Sequence, residues 1–306
     1  MIKLILKLLG VSKLNKLLTQ EFDKVKLISA VSIVKNIKEN AGKFENIQDA
    51  EFSVFSQWGD DGIIQYLIHT IGITNKTFIE FGVENYREAN TRFLLINNNW
   101  KGLVIDGSEK NIQFIKNDSI SWNYSLNSVA KFITKENLNS LIENNGFKGE
   151  IGLLHIDVDG NDYWLWECLN IVNPEIVIVE YNSVFGNKKP ISVPYKADFF
   201  VTKEHYSNLY FGASLKALEY LANKKGYFLV GSNSNGNNAY FVRNDKMIGL
   251  SKMTSEEAYV ACKFKQNRDP NYSLTLIDDS IMISNCGDLP VINVINNETI
   301  KLKDCL

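Results

Sequence analysis

The sequence predicts an α/β fold. Its centre is a seven-stranded, mostly parallel sheet with an antiparallel terminal hairpin. A helical extension precedes it and a C-terminal appendage follows. Three observations predict this. Between residues 56 and 244, segments with apolar residues at helical spacing alternate with short apolar runs. Such alternation implies parallel strands joined by right-handed crossovers. The last two runs, 227–232 and 238–244, are joined by only five residues, too few for a crossover, so the final strand runs antiparallel. Finally, 45% hydrophobic and 22% charged residues over 306 positions exclude a mostly disordered chain and allow a substantial core.

The elements follow in order. Residues 1–50 are Lys-rich and helical in texture, with weak turns at Gly10 and Gly42. The opening MIKLILKLLGVSKLNKLL places Leu and Ile at helical spacing, with Lys3, Lys7 and Lys16 toward another side. This is an amphipathic helix fit to dock on the body of the protein, on a partner subunit in a homo-oligomer, or, through residues 1–20, on a membrane surface. Lys7 and the lack of a small-residue cleavage site argue against a signal peptide. No apolar run reaches the roughly 20 residues of a membrane span.

From Ser56, a candidate N-cap, a helix carries Ile63, Ile64, Leu67, Ile68 and Ile71. TFIEFG (77–82) is the first strand. Residues 89–100 form a helix starting near Asn90 or Thr91, 101–108 the second strand, and 109–118 a helix. Residues 120–130 form a third strand and turn, and 135–146 a helix closed by Gly146. GEIGLLHIDVDG (149–160) is a strand running into an acidic turn. Residues 161–172 form a helix stopped by Pro174, and 175–182 the fifth strand. An aromatic loop spans 183–212, and Ser214 caps a helix over 214–226. Residues 254–268 read as helical, and the remainder alternates like short strands. The domain boundaries implied are 1–50, 51–246 and 247–306.

A net charge of −2 with only four Arg (Arg87, Arg92, Arg243, Arg268) gives no electrostatic footprint for nucleic acid. Cys168, Cys262, Cys286 and Cys305 form no C-x-x-C pair and lack metal-ligand spacing with His69, His155 and His205. Isolated thiols suit a reducing compartment, so a cytoplasmic location, possible at the membrane periphery, is expected.

Ligands of a doubly wound, Rossmann-like sheet bind outside the carboxyl ends of its strands. Those ends carry Glu80, Gly82 and Glu84; Asp106, Gly107 and Ser108; Asp157, Asp159 and Asp162; and Glu180, Tyr181 and Asn182. EFGVEN is not a G-x-G-x-x-G turn: Glu84 falls where the second Gly would stand, and a carboxylate there repels a pyrophosphate. S-adenosylmethionine, which carries a sulfonium and an ammonium instead of a phosphate, suits this turn better than NAD. Asp106, 26 residues after Glu80, is placed to accept both ribose hydroxyls of an adenosine.

SQWGDDG, FIEFGVEN with NT at 90–91, GLVIDGSEKNI and HIDVDGND together resemble the FkbM-type class I methyltransferases over about residues 53–244. The family's I-D-V-E-G-x-E reads IDVDGND here, and Glu84 replaces a common Asn. The resemblance implies S-adenosylmethionine-dependent O-methylation of a sugar or nucleotide-activated sugar, in surface polysaccharide or natural-product biosynthesis. It implies that Glu80, Gly82 and Glu84 line the methionine end of the donor and that Asp106 and Ser108 hold the ribose. Asn127 would lie near the adenine, with Gln57 and Asp61 closing over the donor.

Methyl transfer is an in-line displacement for which alignment supplies much of the rate. A hydroxyl acceptor also needs a base or a divalent metal. His205, in the aromatic loop, is the first candidate base, with Asp157 and Asp159 as further catalytic candidates. Asp157, Glu180 and Asn182 match by strand position the acid and amide ligands that hold magnesium in catechol-type methyltransferases. His155, within a strand, reads as a core residue. Tyr195, Tyr206 and Tyr210 suit either stacking on an acceptor or capping the core. The rival readings are a nucleotide- or NAD-binding oxidoreductase and a non-catalytic assembly protein.

Overall fold

The computed structural model describes residues 11–264 and 267–306. The first ten residues of the amphipathic opening therefore lie outside the described residues. The element order is α1 (Val11–Glu39), α2 (Asp60–Thr70), β1 (Thr77–Phe81), α3 (Arg92–Asn97), β2 (Lys101–Asp106), α4 (Glu109–Asn117), β3 (Leu126–Ala130), α5 (Leu138–Asn144), β4 (Gly149–Ile156), α6 (Asp162–Cys168), β5 (Val172–Glu180), β6 (Ile191–Ser192), α7 (Leu215–Lys225), β7 (Tyr227–Ser232), β8 (Asn238–Arg243), β9 (Pro290–Asn293) and β10 (Glu298–Lys301). Single helical turns punctuate the connections.

Seven strands form one sheet in the order β3-β2-β1-β4-β5-β8-β7. Strands β1 to β5 pair in parallel, and β8 runs antiparallel to both β5 and β7. The hairpin thus folds back so that its second strand pairs with β5. Strands β1, β4 and β5 read as nearly unbroken apolar runs because both faces are covered by helices. One face buries Phe81, Leu103, Leu154, Trp166 and Phe241; the other buries Phe78, Tyr66, Leu95, Val104 and Tyr240.

Several boundaries differ from expectation for identifiable reasons. Helix α2 starts at Asp60, not Ser56, yet the Ser56 hydroxyl still accepts the Asp61 amide at 3.0 Å. The third strand starts only at Leu126, because Ile120–Asn123 coils into a helical turn. Helix α6 ends at Cys168, and Pro174 lies inside β5, opposite Ile151.

Of the region expected to be helical over 254–268, the described residues form one turn, Ser255–Ala258, with a Thr254/Glu257 capping box. Beyond it, tertiary hydrogen bonds override helix propensity. The Tyr181 hydroxyl donates to the Val260 carbonyl at 2.7 Å, and the Cys262 amide donates to the Ser183 hydroxyl at 3.0 Å. Those bonds fasten this stretch over the end of β5.

Strands β6, β9 and β10 make a second, three-stranded sheet in the order β10-β9-β6. The 183–212 loop and the C-terminal segment share one core, with Phe185, Ile191 and Phe211 packed against Met282, Val291 and Leu302. At the other end, α1 lays Ala30, Leu27 and Val34 against Val54, Phe55 and Phe93. No helix among the described residues is long and apolar enough to cross a membrane.

Candidate active site

The site begins where β1 ends. Glu80 is buried, and both carboxylate oxygens are occupied. Oε1 accepts the Asn90 amide at 2.9 Å and faces His155 Nδ1 at 2.9 Å. Oε2 accepts the Thr91 amide at 3.1 Å and the Thr91 hydroxyl. Burial alone would raise this carboxyl; the hydrogen bond and charge of His155, with Thr91 and Asn90, outweigh it and hold Glu80 below the ordinary range. Conversely, burial would lower His155, but Glu80 raises it. Glu80 therefore secures the start of α3 and a buried partner.

Two residues on, Gly82 has φ +74°, and a Cβ there would sit 1.6 Å from the Asp157 carbonyl oxygen. The glycine is required because the β1 and β4 turns nearly touch. Glu84 follows at φ 45°, and its amide donates to Asp106 Oδ2 at 2.8 Å. Asp106 Oδ1 accepts the Ser108 amide at 2.8 Å. Oδ1 also accepts Asn111 Nδ2 at 3.3 Å, so it is Oδ2, with the Glu84 amide alone, that keeps a lone pair for a ligand.

At the end of β4, Asp162 is fully buried and accepts the amides of Val158 at 2.8 Å and Gly160 at 2.9 Å. These bonds fold the acidic turn, with Asp159 on its exposed rim at φ 53°. Loss of water pushes the Asp162 carboxyl up to about 6. Asp157 is pushed up to about 8, first by loss of water and then by the neighbouring Asp159 charge. Glu180, at the end of β5, is driven well above the ordinary range by burial and by Asp157. Carboxylate oxygens of Asp157, Asp162 and Glu180 lie within 4.8 Å of one another.

Two cavities open along these strand ends and share Gly82, Glu84, Asp157 and Asp159, forming one cleft. The half beyond β2, about 390 Å³, pairs Asp106, Ser108 and Asn111 with apolar walls from Ile105, Phe132, Ile133 and Phe199. The half toward β5, about 280 Å³, carries Asp60, Glu80, Glu88 and Glu180 besides the shared acids. Its roof is the Trp58 ring stacked on Phe264, centroids 5.7 Å apart.

Four polar atoms of this acidic half are buried without a partner: Trp58 Nε1, Asp60 Oδ2, Glu180 Oε2 and Asn238 Oδ1. The other Asp60 oxygen is fully used, accepting Asn233 at 3.1 Å, Asn238 at 2.9 Å and the Tyr240 hydroxyl. Buried polar groups are rarely left unpaired, so a cluster of four beside one cavity calls for water or a polar ligand there.

Gln57, Glu80, Gly82, Glu84, Asp106, Ser108, Asp157, Asp159 and Glu180 all line the cleft. Other expected residues are engaged elsewhere. Asp61 Oδ2 accepts the amides of Val54, Phe55 and Ser56 at 2.7, 2.7 and 2.9 Å. It folds the turn before α2, and burial pushes it up to about 6. Asn127 is exposed and donates to Asn145 at 2.9 Å. Asn182 spends its oxygen on the Val184 amide at 3.0 Å and its nitrogen on the carbonyls of Leu209 and Phe211. His205 contacts Ser207 at 2.7 Å and Cys286 at 3.2 Å, in the core shared with the C-terminal segment. Tyr195 donates to Glu136 at 2.8 Å, and Tyr210 to the Pro290 carbonyl.

Sequence reasoning missed Asp60, Trp58, Phe132 and Phe264 as cleft residues. Trp58 and Asp60 sit inside the quoted SQWGDDG, so a signal existed; Phe264 had none, because helical spacing gave no reason to place it here.

No protein-family model matches the chain, and no curated protein matches it. Solved structures do. An O-methyltransferase from Bacillus cereus in complex with SAH is 13% identical at a TM-score of 0.41, covering 69% of this chain and 91% of that one. The SAH-bound methyltransferase PaMTH1 of Podospora anserina is 11% identical at 0.40, covering 69% and 87%. An S-adenosylmethionine-dependent methyltransferase from Clostridium acetobutylicum is 11% identical at 0.38, covering 60% and 90%.

Proposed function

We propose that the protein is an S-adenosylmethionine-dependent O-methyltransferase of the FkbM type, acting on a sugar hydroxyl in surface polysaccharide biosynthesis. The observation that carries this reading is the group of partnerless buried atoms in the acidic half, three acceptors and one donor. A polyhydroxyl ligand supplies the missing donors, and the Trp58 and Phe264 rings suit the apolar face of a sugar. A diphosphate would meet Asp60, Glu80, Glu84, Asp157, Asp159 and Glu180 there, with no Lys or Arg in the lining to offset them. This favours a sugar over a nucleotide-activated one as the group entering the acidic half.

In this reading the adenosine fills the half beyond β2. Asp106 accepts from the ribose hydroxyls, and Phe132 and Ile133 flank the adenine. The methionine end crosses the shared wall, where Glu84, Asp157 and Asp159 favour its ammonium and sulfonium. The methyl group then points into the acidic half. Among the described residues nothing hydrogen-bonds the Asp157 side chain, so it can accept the hydroxyl proton. The neighbouring sulfonium charge favours its ionised form. The methyl carbon bonds to the acceptor oxygen as its bond to sulfur breaks, the electron pair going to sulfur.

The oxygen donors of Asp157, Asp162 and Glu180, with Glu180 Oε2 unpartnered, fit a hard divalent cation such as magnesium. Such an ion would supply Lewis-acid polarisation of the acceptor hydroxyl. The test is calorimetry with the donor and its demethylated product, followed by mass spectrometry of products from a panel of sugars and nucleotide sugars. Binding of neither donor form by folded protein sinks the proposal.

A further inference from the structure

Helix α1 has two apolar faces. The inner one packs Ala30 and Ile37 onto the body of the protein, where both are almost fully buried. The outer face carries Leu14, Leu18, Phe22, Val25 and Ile28, spaced by four, four, three and three residues. They form one helical stripe and stand between 47% and 73% exposed.

A second copy of the helix is a poor occupant. With Leu14 and Leu17 as seam positions, the heptad continues through Glu21, Lys24, Ile28, Val31 and Lys35, and three charges break it. Charge is also segregated. Residues 1–43 hold nine Lys against three acids, whereas residues 44–306 hold 24 bases against 32 acids. Two such helices would bring like charges together, while an anionic surface attracts them. Beside the helix, Gln20, Asp23 and Lys24 share a groove with Ile120 and Asn123. The neighbouring Trp122 is 67% exposed, the residue type that favours a membrane interface.

We propose that the outer face of α1, with Trp122 beside it, docks the protein on an anionic lipid bilayer surface. A broad apolar stripe flanked by Lys is the chemistry of a helix lying in the headgroup plane.

The experiment is flotation of the full chain with vesicles of phosphatidylcholine alone or mixed with phosphatidylglycerol. The protein is expected to float with the mixed vesicles only, and to be released by high salt. The triple variant F22S/V25S/I28S should lose about tenfold or more in bound fraction at an unchanged melting temperature. The charge variant K35E/K38E, which leaves the apolar stripe intact, should bind the mixed vesicles more weakly. No flotation with mixed vesicles, or undiminished flotation of both variants, overturns the proposal. So does a dimer in sedimentation that the triple variant splits.

Discussion

Asp106 and Glu84 join the ends of β2 and β1: Oδ2 of one accepts the backbone amide of the other at 2.8 Å. This bond holds Glu84 in its left-handed conformation at the wall shared by the two halves of the cleft. One carboxylate thus shapes the wall of the cleft and faces the half proposed to hold the donor. Asp106→Ala should weaken binding of the methyl donor by ten- to a hundredfold, the order expected for charge-assisted hydrogen bonds. Calorimetry reads this directly. Unchanged affinity removes Asp106 from the site, and a thermal shift with NAD but not with the donor favours the oxidoreductase reading.

The Glu80–His155 pair is a stability element. Removing one partner by Glu80→Gln should cost about 3 kcal/mol, because it leaves the other buried without its countercharge. Glu80 is depressed from 4.5, so its contribution is present above that pH and fades as pH falls through the folded value. His155 is raised from 6.5, so its contribution is full below that pH and fades as pH rises through the folded value. Urea unfolding of the native chain should therefore show this pair contributing most between about pH 4.5 and 6.5. A flat difference between native and variant across pH contradicts it.

Gly82→Ala should destabilise the fold by about 3 kcal/mol or more, since the added methyl meets the Asp157 carbonyl and the backbone is left-handed. A thermal melt within a degree or two of the native chain refutes this contact.

The carboxyl cluster makes the protein sensitive to rising pH. Asp157, raised from 3.8 to about 8, binds its proton more tightly folded than unfolded. Stability is lost as pH climbs between those values. Magnesium should raise the melting temperature more at pH 8 than at pH 6, and Glu180→Gln should shrink that gain. An equal effect at both pH values, or in both chains, argues against cation binding at these residues.

If Asp157 takes the hydroxyl proton, Asp157→Asn should lower kcat by about a hundredfold or more with donor affinity within a few fold. It should also flatten the rising limb of the pH–rate profile. Retained activity moves the base elsewhere.

Much of the architecture was legible because alternation of periods and the five-residue hairpin connection are local signals. The strand-end acids were legible for the same reason: Asp106, Asp157 and Glu180 each follow an apolar run directly. What lay hidden was how each acid spends its oxygens. Asp61 looks like a cleft residue in the string, yet three backbone amides claim one of its oxygens, and Asp162 offers the carboxyl cluster only what its two turn amides leave. His205 was misplaced because its loop turns away to join the Cys286 side of the C-terminal core, a contact 81 residues distant in sequence.

The Trp58–Phe264 stack joins chain positions from opposite flanks of the sheet. Neither ring lines the half beyond β2, the proposed seat of the adenosine. On the proposed reading, a change at Phe264 would reshape the acceptor half of the cleft and leave the lining of the other half untouched. A protein assembled this way can diversify its chemistry by grafting one loop, with the furnace left standing and only the door recut.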